Sequence, residues 1–164
     1  DGPHKFSAFT ASVLQLRPES AGHLSLRSAN MEDHPEIHPN YLATDLDCKT
    51  IVKGIQIARK IANTDPLKSH ITEEHSPGPQ VAFDDDEAIL NWARQTSVTI
   101  YHPTGTCKMG IDERAVVDPR LRVKGIEGLR VADASIMPQI VSGNTNAPCI
   151  MIGEKAADLV LEDA

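Results

Sequence analysis

The strongest constraint on the fold is a helical pattern that begins after Thr44. Thr44 followed by Asp47 resembles a capping box, in which side chains satisfy the free N–H groups of a first helical turn. Apolar side chains then recur at helical spacing, at Ile51, Ile55, Ala58 and Ala62. The pattern predicts an amphipathic helix that ends near Asp65 and Pro66 and packs its apolar stripe in a core.

Two further helices are predicted along the chain. The acidic run at residues 84–87 precedes an apolar pattern, and negative charge stabilises the first turn of a helix by ~0.3–1 kcal/mol per group. This helix is expected to end near Ser97. An apolar helix is predicted from about Pro148 to Leu161, directly after SGNTNAP, residues 142–148, which is rich in turn and cap residues.

Short strands are predicted between these helices. Residues 9–17 are rich in β-branched and apolar side chains, and Leu24 and Leu26 alternate with polar residues, so the two segments predict an antiparallel pair. Residues 30–41 contain two prolines and are predicted as a loop, whereas residues 120–131 predict two short strands around a turn. The fold class is therefore α+β, an antiparallel β-sheet with helices packed on it.

Composition narrows the classes of partner and compartment. Aromatic content is 4%, so the core must be aliphatic, and the net charge of −7 argues against nucleic acid or an anionic membrane as a partner. The three cysteines form no CxxC pair, which fits reduced thiols in a cytoplasmic protein. No apolar run reaches the ~20 residues of a membrane span, and membrane association of a longer protein is left open.

The histidines outside the later motifs favour solvated loops over a metal site. His34 and His38 are four residues apart, but Pro35 and Pro39 prevent the regular helix that would place both on one face. No metal site is predicted, and a metal hydrolase built on the loop histidines is kept only as a rival to be tested by metal analysis.

Chemistry is better supported on two loops at element junctions. The chain has no G-x-S-x-G elbow, no G-x-G-x-x-G loop and no Walker loop, and the separation of His102 from Cys107 is too loose to indicate a nucleophile pair. A candidate base, His102, lies in YHPTGTCKMG at residues 101–110, and a hydrogen-bonding amide, Asn144, lies in SGNTNAP. Loops of this kind usually carry function.

These motifs carry a family resemblance. YHPTGTCKMG, followed by AVVDPRLRVKGIEGLRVADASIMPQIVSGNTNAPCIMIGEKAADLVL, resembles the C-terminal signature of the glucose-methanol-choline (GMC) flavoprotein oxidoreductases. RPESAGHLSLRSAN and PEIHPNYLATDLD resemble the substrate domain of the same family. The resemblance implies that residues 1–164 form a GMC C-terminal domain, and that the N-terminal FAD-binding half belongs to a longer protein.

The resemblance also implies catalytic roles. His102 matches the family histidine that takes the proton from an alcohol hydroxyl while hydride passes from carbon to the flavin, a role that suits an imidazole near neutral pH. Asn144 matches a position that carries a second histidine or an asparagine. Its amide can hydrogen-bond the substrate oxygen but cannot act as a base.

Contacts with FAD are implied at two further places. The turn at Asp133 and Ala134 is expected against the pyrophosphate and ribityl region, and the segment beside the flavin ring is expected to be Asn146, Ala147 and Pro148. A helix that starts here would direct free N–H groups and its positive dipole end toward the cofactor. The simpler alternatives are that Asn144 or Asn146 is only an N-cap, Asp133 a turn acid and His102 a loop hydrogen bonder.

The resulting hypothesis is the substrate domain of an FAD-dependent alcohol or choline-like dehydrogenase. Its partners would be a small-molecule alcohol and the N-terminal FAD-binding half, with no nucleic acid and no metal. The chain alone is expected to be inactive and to bind FAD weakly or not at all. A hydroxynitrile lyase on the same scaffold and a non-catalytic binding module are the alternatives, and the identity of the alcohol and of the electron acceptor stay open.

Overall fold

A computed structural model describes residues 4–163, which divide into two compact units. The first unit contains the segment up to residue 21 together with residues 41–98, and its helices are α1, Asp45–Ala62, and α2, Asp86–Thr96. The second contains residues 22–40 and the segment from residue 99 onward, with strands β1, His23–Ser25, and β2, Glu36–His38, and helix α3, Asn146–Glu162. Short 3-10 turns lie at Leu67–His70 and Ala134–Ile136.

The helices of the first unit confirm the predictions from periodicity and capping. Thr44 is the N-cap of α1, and its hydroxyl accepts a hydrogen bond from the N–H of Asp47 at 3.3 Å. Asp85, within the acidic run, is the N-cap of α2 and accepts from the N–H of Ala88 at 2.9 Å. Helix α2 ends at Thr96 with Ser97 as its C-cap, in agreement with the predicted end near Ser97. Helix α1 ends at Ala62, three residues before the predicted end near Asp65.

The prediction of a strand at residues 9–17 is wrong, because this segment packs on helix α1 and does not pair with another strand. It has no regular secondary structure, and Val13 lies against Gly54, where the helix lacks a side chain. Asp47, which is 2% exposed, accepts hydrogen bonds from the side-chain amide of Gln15 and from the N–H groups of Glu19 and Ser20. The polar bonds to Asp47 and the contact at Gly54 replace the backbone pairing that a strand would make.

The second unit contains the antiparallel sheet, but with a different partner for the first strand. Strand β1 pairs with β2, so that His23 lies opposite His38. The partner therefore comes from residues 30–41, which the sequence predicted as a loop. All three residues of β2 are exposed, so this strand has no buried face and no apolar alternation that a sequence pattern could show.

Residues 117–131 form isolated bridges where two strands were predicted. Val117 pairs with Val123 and Arg122 with Arg130, each as a single antiparallel bridge. The chain reverses through Gly125 at φ 79°, a left-handed conformation that glycine adopts without strain. The α+β class is confirmed, with three helices and a two-stranded antiparallel sheet in the described residues.

The core of the second unit is aliphatic, as the low aromatic content predicted. One face of α3 is buried against residues of the preceding loop region, and the set is Val117, Leu121, Ile136, Met137, Ile152, Ala156 and Leu159. Helix α3 begins at Asn146, two positions before the predicted Pro148. Among residues 4–163, no helix has the length and apolarity needed to cross a membrane.

We expect Asp47 to anchor the segment before α1. Burial alone would raise the pKa of its carboxyl, but hydrogen bonds from Ser20, Glu19 and Gln15 outweigh it and lower the pKa from 3.8 to about 2. Because the folded-state pKa is depressed, the stabilisation is complete above about pH 4 and is lost as the pH falls through about 2. Asp47→Ala should lower the free energy of unfolding at pH 7 by about 2–3 kcal/mol, since it leaves several donors unpaired.

Urea unfolding followed by the fluorescence of Trp92, the one tryptophan, measures this effect. Asp45→Ala is the matched control, because Asp45 lies in the same first turn and is exposed. Equal losses in the two variants, or an unchanged acid dependence of Asp47→Ala between pH 4 and pH 2, would contradict the anchoring role.

A second prediction concerns Gly54. A Cβ atom at this position would lie 2.3 Å from Cγ1 of Val13, so Gly54→Ala forces the valine out of its place. In a Val13→Ala background the same change should instead stabilise the helix by about 1 kcal/mol, which is the propensity difference between glycine and alanine. A double-mutant cycle by urea unfolding should give a coupling of about 1 kcal/mol or more, and additive effects would show that the two residues do not meet.

Candidate active site

The YHPTGTCKMG loop, residues 101–110, is fixed by main-chain hydrogen bonds to the turn at residues 133–137. The N–H of Cys107 donates to the carbonyl of Ser135 at 2.9 Å, and the N–H of Met109 donates to the carbonyl of Ile136 at 2.7 Å. Gly105 has φ 86°, and a Cβ there would lie 3.2 Å from the carbonyl oxygen of Met137. The loop is thus attached to the segment that carries Ile136 and Met137 into the core.

The backbone turns sharply immediately before His102. Tyr101 has φ 62°, and its N–H donates to the hydroxyl of Thr99 at 3.1 Å. A bulky residue in the left-handed region is uncommon, and such strain is concentrated at functional sites. The side chain of Tyr101 is 80% exposed while that of His102 is half-buried, so the turn directs the two rings into different environments.

His102 contacts the start of helix α3. Its Nδ1 lies 2.9 Å from Oγ1 of Thr145, a residue 43 positions later in the chain. Thr145 is 7% exposed and is the N-cap of α3, yet its side chain makes no capping hydrogen bond to the helix. The histidine has taken the place of the helix N–H groups as the partner of this hydroxyl.

Thr145 is the residue that the sequence prediction missed. Only Asn144 and Asn146 were predicted as possible N-caps, although threonine is also a common N-cap residue. The alternatives that Asn144 or Asn146 caps the helix are wrong, since the cap is Thr145. Its contact with His102 joins segments distant in sequence, and no local pattern indicates it.

Asn144 is the residue immediately before Thr145 in the chain. Its side chain is exposed, and among residues 4–163 no hydrogen bond joins it to His102. Asn144 is therefore next to Thr145 in the chain, and its side-chain amide is open to solvent. An exposed amide has one acceptor and two donor hydrogens available for a ligand.

Asp133 holds the turn to which the loop is bound. Asp133 is the N-cap of the 3-10 turn that begins at Ala134, and its carboxylate accepts a hydrogen bond from the N–H of Ser135 at 2.7 Å. Hydrogen bonding from the Ser135 side chain, and then from its backbone, lowers the pKa of the Asp133 carboxyl. Asp133 acts as the turn acid that the sequence allowed; its backbone is extended and the residue is exposed.

The first turn of α3 has the chemistry of a site for an acceptor group. Asn146 and Ala147 are exposed, and the side chain of the N-cap residue gives them no hydrogen bond. The first N–H groups of a helix have no intrahelical partner, and they carry the positive end of the dipole. Such a terminus fits a carbonyl or anionic edge of a cofactor such as FAD.

The far end of α3 is held by two arginines. Arg120 donates to Glu162 at 3.0 Å and to Asp163 at 2.7 Å, and Arg130 also donates to Asp163. Arg130 in addition donates to the carbonyl of Arg120, which joins both cations to one loop. These bonds and the buried face of α3 fix the helix relative to residues 117–137.

The loop histidines lie elsewhere in the second unit. His38 is part of β2, and its ring stacks on that of His23 with a centroid distance of 4.6 Å. Among residues 4–163, no group of three or more His, Cys, Asp or Glu side chains is arranged to hold a metal ion.

Comparison with known sequences places this arrangement in a family. The family model described as GMC oxidoreductase matches residues 18–153. An alcohol dehydrogenase [acceptor] of Pseudomonas putida is 48% identical over 153 residues, which cover 93% of this chain and 27% of that protein. The mitochondrial choline dehydrogenase of Homo sapiens is 46% identical over 160 residues, covering 96% of this chain and 27% of that protein. The chain thus spans about a quarter of these relatives.

Solved structures agree with the sequence relatives. A formate oxidase variant of Aspergillus oryzae superposes with a TM-score of 0.83 at 32% identity, over 90% of this chain and 26% of that one. An FAD-dependent oxidoreductase from Chaetomium thermophilum superposes with a TM-score of 0.82 at 29% identity, over 90% of this chain and 26% of that one. On the family match and these relatives, the chain belongs to the GMC oxidoreductases.

Proposed function

We propose that this chain is the substrate-side part of an FAD-dependent alcohol dehydrogenase in which His102 is the catalytic base. The observation that carries the proposal is the half-buried imidazole of His102, which contacts Thr145 at the start of α3, the residue that follows the exposed Asn144 in the chain. The named relatives, an alcohol dehydrogenase and a choline dehydrogenase, support an alcohol as the substrate class. The longer protein, with its FAD-binding half, is the catalytic unit in this proposal.

The reaction divides the two hydrogens of an alcohol between protein and cofactor. His102 takes the hydroxyl proton on the ring nitrogen that does not contact Thr145, and the C–H electron pair leaves with the second hydrogen as hydride. A bound flavin supplies the hydride acceptor. Proton removal by a positioned base contributes about 10²–10⁴-fold to such a step.

Asn144 is proposed to orient the substrate oxygen. Its amide N–H groups donate, so they can hold the hydroxyl oxygen as it gains negative charge during proton removal. The exposure of Asn144 and the absence of a bond to His102 in the described residues leave the amide available for this contact.

The cofactor-binding residues are proposed on the same geometry. The backbone at Asp133 and Ala134 would approach the pyrophosphate and ribityl region of FAD, and the first turn of α3, at Asn146, Ala147 and Pro148, would meet the flavin ring. The extended backbone of the exposed residue Asp133 and the lack of a side-chain cap on the first turn of α3 support these contacts. We also propose a cytoplasmic location for the longer protein, supported by three free cysteines.

Removal of the His102 imidazole tests the catalytic assignment. In the full-length protein, His102→Gln should lower kcat by about 10²–10⁴-fold, because the hydroxyl proton loses its acceptor. Steady-state assays against choline and a panel of aliphatic, aromatic and sugar alcohols, with oxygen and a redox dye in parallel, measure the loss. FAD absorbance of the purified variant reports whether the fold and cofactor are retained.

His34→Gln is the matched control, since His34 is an exposed loop histidine of the same unit. Unchanged turnover in His102→Gln would overturn the base assignment and favour the binding-module alternative. A wild-type protein that cleaves cyanohydrins without reducing the dye would indicate a hydroxynitrile lyase instead.

Asn144 gives a second test with a smaller effect. Asn144→Ala should lower kcat by about 5-fold, since one hydrogen bond contributes about 1 kcal/mol. Asn144→His should retain most of the activity because its ring N–H can donate in the same place. Equal losses in the two variants would contradict an orienting hydrogen bond, and kcat measured with the preferred alcohol decides between these outcomes.

A further inference from the structure

The hydroxyl of Thr145 contacts His102 and does not cap helix α3. An N-cap threonine normally accepts a hydrogen bond from an N–H in the first helical turn. In this chain the side chain makes no such bond, and Oγ1 instead lies 2.9 Å from Nδ1 of His102. Thr145 is only 7% exposed, so water is largely excluded as an alternative partner.

The contact has a direct consequence for the protonation pattern of the ring. A neutral imidazole carries one N–H and one lone pair, and the hydrogen bond made by one nitrogen decides which is which. When Nδ1–H donates to the threonine oxygen, Nε2 holds the lone pair and can accept a proton. In the opposite tautomer Nε2 carries a hydrogen and cannot act as a base.

We propose that Thr145 is a positioning residue that accepts a hydrogen bond from Nδ1–H of His102 and thereby keeps Nε2 free as the proton acceptor. This inference rests on the proposed function of His102 and adds the residue that sets its tautomer and orientation. Thr145 does not touch the reacting atoms. It acts only through the imidazole.

The placement of Thr145 suits a fixed orienting group. Its carbonyl accepts the first hydrogen bond of α3, from the N–H of Cys149 at 3.0 Å, so its backbone belongs to the helix start. The helix itself is anchored by buried Ile152, Ala156 and Leu159. His102 is fixed from the other side by the turn at Tyr101. The ring is therefore held between the loop and the start of α3, and both are attached to the same core.

The tautomer can be measured without any turnover. In full-length protein labelled with ¹⁵N-histidine, at a pH where the ring is neutral, the Nδ1 signal of His102 should be of the protonated type and the Nε2 signal of the unprotonated type. His102→Gln identifies the signals by their loss. A wild-type spectrum that shows Nε2 protonated would overturn the proposal by itself, whatever the variants do.

Substitutions at Thr145 then test the cause. Thr145→Val keeps the shape but removes the hydroxyl, so the Nδ1–H preference should be lost, while Thr145→Ser should keep it. With the preferred alcohol, kcat of Thr145→Val should fall by about 10- to 100-fold, as expected for a displaced catalytic group. KM should change by less than about threefold, since substrate contacts are untouched, and Thr145→Ser should restore kcat to within about threefold.

Thr50→Val, an exposed threonine-to-valine change in α1, controls for the loss of a hydroxyl as such. Full kcat and an unchanged tautomer in Thr145→Val would overturn the positioning role while leaving the base assignment of His102 intact. A failure of the proposed function looks different: His102→Gln would keep its turnover, although the tautomer measured by NMR would still depend on Thr145.

Discussion

Burial of one face of helix α3 is the interaction on which the candidate site depends. Ile152, Ala156 and Leu159 pack against a core that includes Ile136 and Met137, and burying a side chain of this size contributes about 1.5–3 kcal/mol for each large residue. The loop at residues 101–110 is hydrogen-bonded to the same segment, through Ser135 and Ile136. The loop and the helix start are therefore positioned by one core, which brings His102 and Thr145 into contact.

The polar groups of the candidate site therefore lie on segments without regular secondary structure, which a packed aliphatic core supports. Loop segments supply the imidazole and the exposed amide of the candidate site, while the aliphatic core and the arginine pair at Asp163 keep the supporting helix in place. This division is common in enzymes, because loops can expose polar groups that a helix or strand interior would have to pair. It also explains the uncapped first turn of α3: the N-cap hydroxyl is engaged by the histidine, and the N–H groups remain available to a ligand.

Sequence patterns predicted the helices well and the strands poorly, for physical reasons. The periodicity around Ile55 and the caps at Thr44 and Asp85 are local, so the helices could be placed within about three residues. Strand pairing is non-local. Residues 9–17 have strand-like composition but cover α1, and the true partner of β1 is an exposed three-residue strand between two prolines.

The sequence by itself determined the chemical groups, His102 and Asn144 on two loops, the helices, and the family to which those motifs point. Only the tertiary structure decided how the groups meet. It made Thr145 the N-cap and the partner of His102, left Asn144 exposed, and used Asp133 to hold the turn beneath the loop. The reason is range: capping and periodicity act within one or two helical turns, whereas a contact across 43 residues exists only once a shared core has folded.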